Sequence, residues 1–261
     1  MAHKTLIGGT AYEITGGKTL VDGTAYSIKS GKTLVGGTAY EVGFGPSILD
    51  NFADTDWESI IFACQNNLVP TTWAVGDQKA MTINGADYVV DIIGKNHDTY
   101  SDASGTAPLT FQLHDCYGTK YKINPLGTYT NWAITQMRST HLPAILALMP
   151  TEVQSAIKMV NKPTVDQNST TITTTEESLF LLSEIEVLGT ITNSVSGEGS
   201  QYEYYKNGNS RIKKLISSAT LWWLRSPPKN NKTSYCVITN KGDASFTNSF
   251  NEVGVAFGFC F

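Results

Sequence analysis

The sequence predicts an α+β protein in which short helices lie around antiparallel sheets, behind a front segment of small β-hairpins. Three observations carry this reading. A 14-residue unit recurs three times at the start of the chain. Beyond it, short runs alternate apolar with polar residues between Gly, Asn and Asp turn signals, the grammar of half-buried strands. The helical patterns among them are brief, begin on capping residues and are soon cut by proline.

The front repeats run Lys4-Thr5-Leu6-Ile7-Gly8-Gly9-Thr10-Ala11-Tyr12, Lys18-Thr19-Leu20-Val21-Asp22-Gly23-Thr24-Ala25-Tyr26 and Lys32-Thr33-Leu34-Val35-Gly36-Gly37-Thr38-Ala39-Tyr40. Each is a strand, a Gly-Gly or Asp-Gly turn and a second alternating strand. A lone two-stranded hairpin buries too little surface to stand by itself, so residues 1–45 read as an attachment or oligomerisation segment. Tyr12, Tyr26 and Tyr40 suit a β surface. Gly43-Phe44-Gly45-Pro46 breaks the pattern and sets the boundary with a second domain over residues 46–261.

In that second part, Asp56 caps a helix over residues 57–64. Asn84-Gly85 turns a hairpin made of residues 79–83 and 88–93. Residues 109–113 form a strand, and residues 130–138 a second capped helix. Residues 142–160 continue as helical pieces interrupted by Pro143 and Pro150. The polar stretch 164–175 is a loop or exposed hairpin, and residues 177–183 are a continuous apolar strand. Strands follow at 220–226 and 235–239, and the apolar end, 254–261, is a strand that must be tied into the core.

With 19 basic and 23 acidic residues in 261, a net charge of −4 and only 16% charged positions, the chain lacks the basic stripe of a nucleic-acid-binding protein. No apolar run reaches the roughly 20 residues of a membrane helix. The start carries no apolar signal core, so export through the general pathway is not expected. Cys64, Cys116, Cys236 and Cys260 are too scattered for a zinc site and read as reduced core thiols. His114-Asp115-Cys116 offers a base and a nucleophile, but neighbours on a strand point to opposite faces, and no acid-base or metal constellation stands out. A noncatalytic protein without cofactor is the expectation.

Several segments taken in order, Tyr88-x-x-Asp91-Ile92-Ile93-Gly94, Trp132-x-x-x-x-Met137-Arg138, Leu179-Phe180-Leu181-Leu182-Ser183-x-x-Glu186-Val187-x-Gly189, Trp223-Leu224-Arg225-Ser226-Pro227, and Asn240-x-Gly242 followed by Gly254-Val255-x-x-x-Phe259, resemble an uncharacterised domain family of gut bacteria and their phages. That family is similar to C-type-lectin-like folds, including the variable receptor-binding proteins diversified by retroelements. Its members usually end Gly-Val-Arg-Pro-Ala-Phe, whereas Ala256 and Phe257 replace Arg-Pro here. The front repeat resembles the leaders of phage tail proteins.

The resemblance implies a variable region over residues 220–261 and a binding face drawn from residues 222–252. Candidate ligand contacts are Trp222, Asn230, Asn231, Ser234, Tyr235, Asn240, Asp243, Ser245, Phe246, Asn248, Phe250 and Asn251. Retroelement diversification acts on adenines, so Asn codons are natural template positions from which Tyr, Ser, Asp and Phe are reachable. Lys229, Lys232, Lys241 and Glu252 are not, and would be invariant. Tyr, Ser and Asn supply rigid area and adaptable hydrogen bonds to such a surface; the alternative reading of the Asn residues is turn chemistry. By strand alternation, Trp223 of the motif should face the core and Trp222 lie nearer the surface. Arg225 is expected to bond to backbone or carboxylate. Glu198, Asp243 and Glu252 do not by their spacing specify a calcium site, and calcium independence is expected. The resemblance thus implies a phage tail adhesin, a homotrimer carried in the virion with other tail proteins and bound to a bacterial protein or polysaccharide receptor. A bacterial cell-surface or secreted adhesion module of the same fold is the alternative.

Overall fold

A computed structural model describes residues 46–127, 131–167 and 169–261, and the backbone of six strands within residues 3–43. The chain divides into two units, residues 1–49 and 50–261. In the first, each repeat makes one antiparallel hairpin: β1 (His3–Ile7) with β2 (Thr10–Ile14), β3 (Lys18–Val21) with β4 (Thr24–Ser27), and β5 (Ser30–Val35) with β6 (Thr38–Gly43). The expected turn residues, the tyrosine surface and the break at residues 43–46 fall wholly or partly outside the described residues.

The second unit is α+β. Helix α1 (Trp57–Gln65) starts where the Asp56 carboxylate accepts the Ser59 amide at 2.7 Å, and it buries Ile60, Ile61, Ala63 and Cys64. Strands β7 (Gln78–Ile83) and β8 (Ala86–Gly94) form a hairpin whose turn residues, Asn84 and Gly85, take φ of 49° and 75°. Both values are left-handed, the conformation that Asn-Gly tolerates best. Strand β9 (Thr110–Leu113) pairs with β8.

The region expected as a second capped helix is instead a 3₁₀ turn (Trp132–Ile134) and a π-type turn (Met137–His141) leading into α2 (Leu142–Leu146). Thr135 divides them. It is extended, at φ −67° and ψ 151°, and its hydroxyl accepts the Arg138 amide at 3.3 Å, so the chain restarts there as at a fresh cap. Residue 130, where that helix was expected to begin, is outside the described residues.

After α3 (Thr151–Ala156), the polar stretch forms a hairpin of β10 (Val160–Val165) and β11 (Ile172–Glu177). Residues 178–183 are not the regular strand expected. They cross the interior as an extended segment bridged to Gly258 through Phe180, then enter α4 (Glu184–Leu188) through a capping box of Ser183 and Glu186. A continuous apolar run reports burial and leaves the backbone pairing open. Short α5 (Glu203–Lys206) and the hairpin β12 (Lys213–Leu215) with β13 (Ser218–Thr220) follow.

Strands β14 (Trp222–Trp223), β15 (Ser234–Ile238) and β16 (Ala244–Asn248) build a three-stranded antiparallel sheet in that order. The last strand, β17 (Gly258–Cys260), returns to β9, completing a sheet of order β17-β9-β8-β7. Phe259 and Phe261 sit 5.2 and 5.4 Å from Phe111, and Phe111 stacks 6.0 Å from Phe52. Each such ring contributes about 1.5–3 kcal/mol by leaving water, which anchors the chain end.

Candidate functional site

The region singled out by the sequence is the sheet β14-β15-β16 with its flanking loops. Its register pairs Trp222 with Ile238 and Ile238 with Ala244; it pairs Trp223 with Val237 and Val237 with Ser245. Directly paired residues share a face, so Trp222 and Trp223 point to opposite faces. Both faces are covered. The Trp223 indole donates to the Tyr121 carbonyl at 2.7 Å, and the Trp222 indole donates to the Arg211 carbonyl at 2.9 Å beneath the Lys213 ammonium.

Trp222 is therefore a core residue, correcting the expectation that it lies near the surface; its relative exposure is 0%. Ser234 and Tyr235 are corrected likewise. They belong to β15, the central strand, and are buried. Tyr235 meets Trp132 edge to face, and the Ser234 carbonyl accepts the Gln167 amide at 3.2 Å. These three cannot touch a ligand in this arrangement.

The remaining candidates are accessible. Asn230, Asn240, Asp243, Phe246, Phe250 and Asn251 are exposed, and Asn231, Ser245 and Asn248 are half-buried. Phe246 projects from edge strand β16 at 46% exposure, and Phe250, at 48%, lies against Gly127. Several of the amides also shape the loops. Asn230 takes a left-handed φ of 62°, the Asn231 side chain accepts the Thr233 amide at 3.0 Å, and the Asn251 amide donates to the Thr247 hydroxyl at 2.8 Å. Turn chemistry thus accounts for part of what these exposed residues do.

A buried ionic network joins the motif residues Arg225 and Glu186 to Lys162, Asp98 and Tyr202. The Arg225 guanidinium grips both Glu186 oxygens, at 2.5 and 2.9 Å, and donates to the carbonyls of Leu181, Pro163 and Glu198, the backbone and carboxylate partners its position predicted. Lys162 lies 3.3 Å from Glu186, bonds to Asp98, donates to the Tyr202 hydroxyl at 2.6 Å and stands 4.0 Å over the Phe180 ring. Burial would push the Glu186 carboxyl up, but Arg225 and Lys162 outweigh it and hold it at about 2. Burial does win at Glu198, whose carboxyl rises to about 7 although Ser226 and Arg225 oppose it. Lys162, Asp98 and Tyr202 went unrecognised as a set in the sequence; the available signal was a lysine in step with buried Val160 and Thr164 along β10.

A second polar cluster sits at the edge of the larger sheet. His114 Nδ1 lies 3.0 Å from both oxygens of buried Asp91, and the Gln78 amide bridges the two groups. Asp91 raises the imidazole pKa against the opposing effect of burial. His114 is thus paired with Asp91 of the neighbouring strand, away from Cys116. Burial pushes the Cys64 and Cys116 thiols up to about 12 and those of Cys236 and Cys260 well above their ordinary value, which is the reverse of nucleophile activation. Among the described residues, no group of three His, Cys, Asp or Glu side chains is arranged to hold a metal ion, and no helix is long and apolar enough to cross a membrane. Two clefts include none of the candidate contacts: one of about 320 Å³ lies between Gly94, Lys95 and His97 and the Gln201 to Asn207 segment, and one of about 330 Å³ lies between the Arg138 to Leu146 segment and residues 176–179.

The interior motif residues and the surface above them fall within one conserved-domain match. Residues 37–260 match the family model described as a domain of unknown function, DUF6273, and the chain belongs to that family. No curated protein and no solved structure matches it.

Proposed function

We propose that the protein is a noncatalytic receptor-binding protein of a phage tail, with a C-type-lectin-like domain that displays a retroelement-diversified surface to a bacterial receptor. The observation that carries this reading is the division within residues 222–252. Phe246 on edge strand β16, Asn240, Asp243, Phe250 and Asn251 in the loops flanking it and Asn230 in the connection from β14 to β15 are exposed, whereas Trp222, Trp223 and Arg225 are buried. Such a division lets surface residues change while folding energy resides below them. The return of the last strand to β9, beside a separate small sheet carrying the display residues, supports the fold reading. The hairpin repeats in residues 1–43 suit attachment to a larger assembly.

The test is adsorption of the labelled full chain to a panel of bacterial isolates. The expected result is saturable binding to some isolates, lost on combined substitution of Asn230, Asp243, Phe250 and Asn251 by alanine in a chain that still melts cooperatively, at a temperature lowered by loss of the left-handed Asn230 and of the Asn251 loop bond. Binding that survives this substitution, or a panel with no adsorbing isolate, counts against the proposal.

A further inference from the structure

The edge of the small sheet has a hydrogen-bonding capacity that no described strand uses. The Leu224 amide donates to the Cys236 carbonyl and the Cys236 amide to the Ser226 carbonyl, at 2.9 and 2.8 Å. Cys236 therefore turns its backbone toward β14, and by alternation Tyr235 and Val237 turn theirs toward β16. Bonds from the Ser249 amide to the Thr233 carbonyl and from the Thr239 amide to the Asp243 carbonyl continue the same ladder at both ends. Thr247 and Ser245, opposite Tyr235 and Val237, are thus the residues of β16 that bond to β15.

Ala244 and Phe246 consequently direct their N–H and C=O groups away from the sheet. No described strand pairs with β16 on that side. Two residues along a strand span roughly 7 Å, so the edge offers alternating donors and acceptors at the repeat of another strand. Natural edges are usually blunted by lysine, proline or a bulge. Ala244-Ser245-Phe246-Thr247-Asn248 contains no proline and no charge, and its register with β15 is regular throughout.

We propose that β16 is a strand-addition site: an extended segment of a protein receptor pairs with the outward backbone groups of Ala244 and Phe246 and sets an apolar side chain against the exposed Phe246 ring. This rests on the receptor-binding reading above and assigns the receptor's chemical class. A peptide strand matches the row of donors and acceptors, as in other recognition by β-augmentation. The hydroxyls of a glycan do not repeat at the spacing of strand backbone groups, so they match this row less well than a peptide does. A second copy of this chain joined edge to edge would hide Phe246, which the receptor-binding reading needs exposed.

The probe is a displayed library of linear peptides of about ten residues, the upper end of common strand length, selected on the full chain. A selected peptide, made synthetically, should bind with a periodic signature: N-methylation at alternate positions weakens it roughly tenfold, and methylation between them does much less. Phe246→Pro should weaken binding at least as much, because it removes an outward N–H while leaving the ladder to β15 intact. Phe246→Ala, which keeps that N–H, should preserve the alternate pattern. Ala244→Pro is the second variant if Phe246→Pro does not fold.

The proposal is overturned if no library peptide binds, if the methylation scan shows no alternation, or if folded Phe246→Pro and Ala244→Pro bind as the parent does. It is also overturned if the free chain forms dimers that Phe246→Pro dissolves, which assigns the edge to a second copy. Cell adsorption separates this failure from failure of the broader reading. Adsorption abolished by the four-residue alanine substitution but untouched by Phe246→Pro removes strand addition and leaves receptor binding standing. Adsorption indifferent to both removes the two together.

Discussion

Replacing Arg225 by methionine tests whether the interior around α4 and β14 is organised by its ionic network. The substitution keeps most of the side-chain volume but removes the fork that holds Glu186 at 2.5 and 2.9 Å and satisfies the carbonyls of Leu181, Pro163 and Glu198. Glu186 keeps Lys162 at 3.3 Å, a weaker partner that is also bonded to Asp98 and Tyr202. Breaking a buried pair by removing one member costs about 3–5 kcal/mol, since the survivor stays buried and uncompensated. Against a typical total of about 5–15 kcal/mol, this is a large share. In a unit of this size each kcal/mol moves the melting temperature about 2–4 °C, so a fall of roughly 6–20 °C is expected. Urea denaturation, with melting as a second readout, measures it. Arg225→Met combined with Glu186→Gln should be less destabilised than the sum of the two single variants, because the orphaned charge is gone. A loss below about 1 kcal/mol for Arg225→Met would falsify the network's role.

Other expectations follow from burial and titration. Trp222→Ala should cost about 3–5 kcal/mol as a cavity in the core, whereas Phe246→Ala should change stability by only about 0.5 kcal/mol; urea midpoints of the two separate interior from display. Gly254→Ala should lose about 1–3 kcal/mol by overpacking, since a Cβ there would lie 2.7 Å from Cys116 Sγ and 2.9 Å from the Leu221 carbonyl, and calorimetry checks this. The His114 pKa is raised by Asp91, so the pair's stabilisation is full below the ordinary value of 6.5 and disappears as pH rises through the folded value. Asp91→Asn should remove that part of the pH dependence of the urea midpoint. Glu198 acts in the same direction over a lower range. Its folded carboxyl titrates at about 7 against 4.5 unfolded, so its contribution is full below 4.5 and lost as pH rises through 7, and Glu198→Gln should flatten this slope.

The local elements were the most legible part of the sequence. Asp56 capped a helix, Asn84-Gly85 turned a hairpin, and the apolar end entered the core, because each depends on neighbouring residues or on burial alone. Elsewhere the reading changed, in one place for a local reason and in another for a distant one. Thr135 split an apparent helix through its own side chain, and residues 178–183 crossed the interior without a regular ladder. Alternation correctly set Trp222 and Trp223 on opposite faces, but not which faces would be covered; Arg211 and Lys213, around the start of the preceding hairpin, cover Trp222, and Tyr121, 102 positions from Trp223, covers the other face. The same limit placed Ser234 and Tyr235 among the contacts, since strand order is invisible in the pattern of one strand. Charged interior residues are least legible of all. Lys162 and Asp98 are 64 positions apart and acquire meaning only when the fold brings them together.

The most direct test of the proposed display surface is deep sequencing of the coding segment for residues 220–261 across a phage or bacterial population from one source. Amino-acid substitutions are expected to concentrate at Asn230, Asn240, Asp243, Phe246, Phe250 and Asn251, while Trp222, Trp223, Arg225, Tyr235 and Gly254 remain fixed. A flat distribution, or one that varies the buried Trp222 and Tyr235 as freely as Phe246 and Asn251, contradicts the proposal.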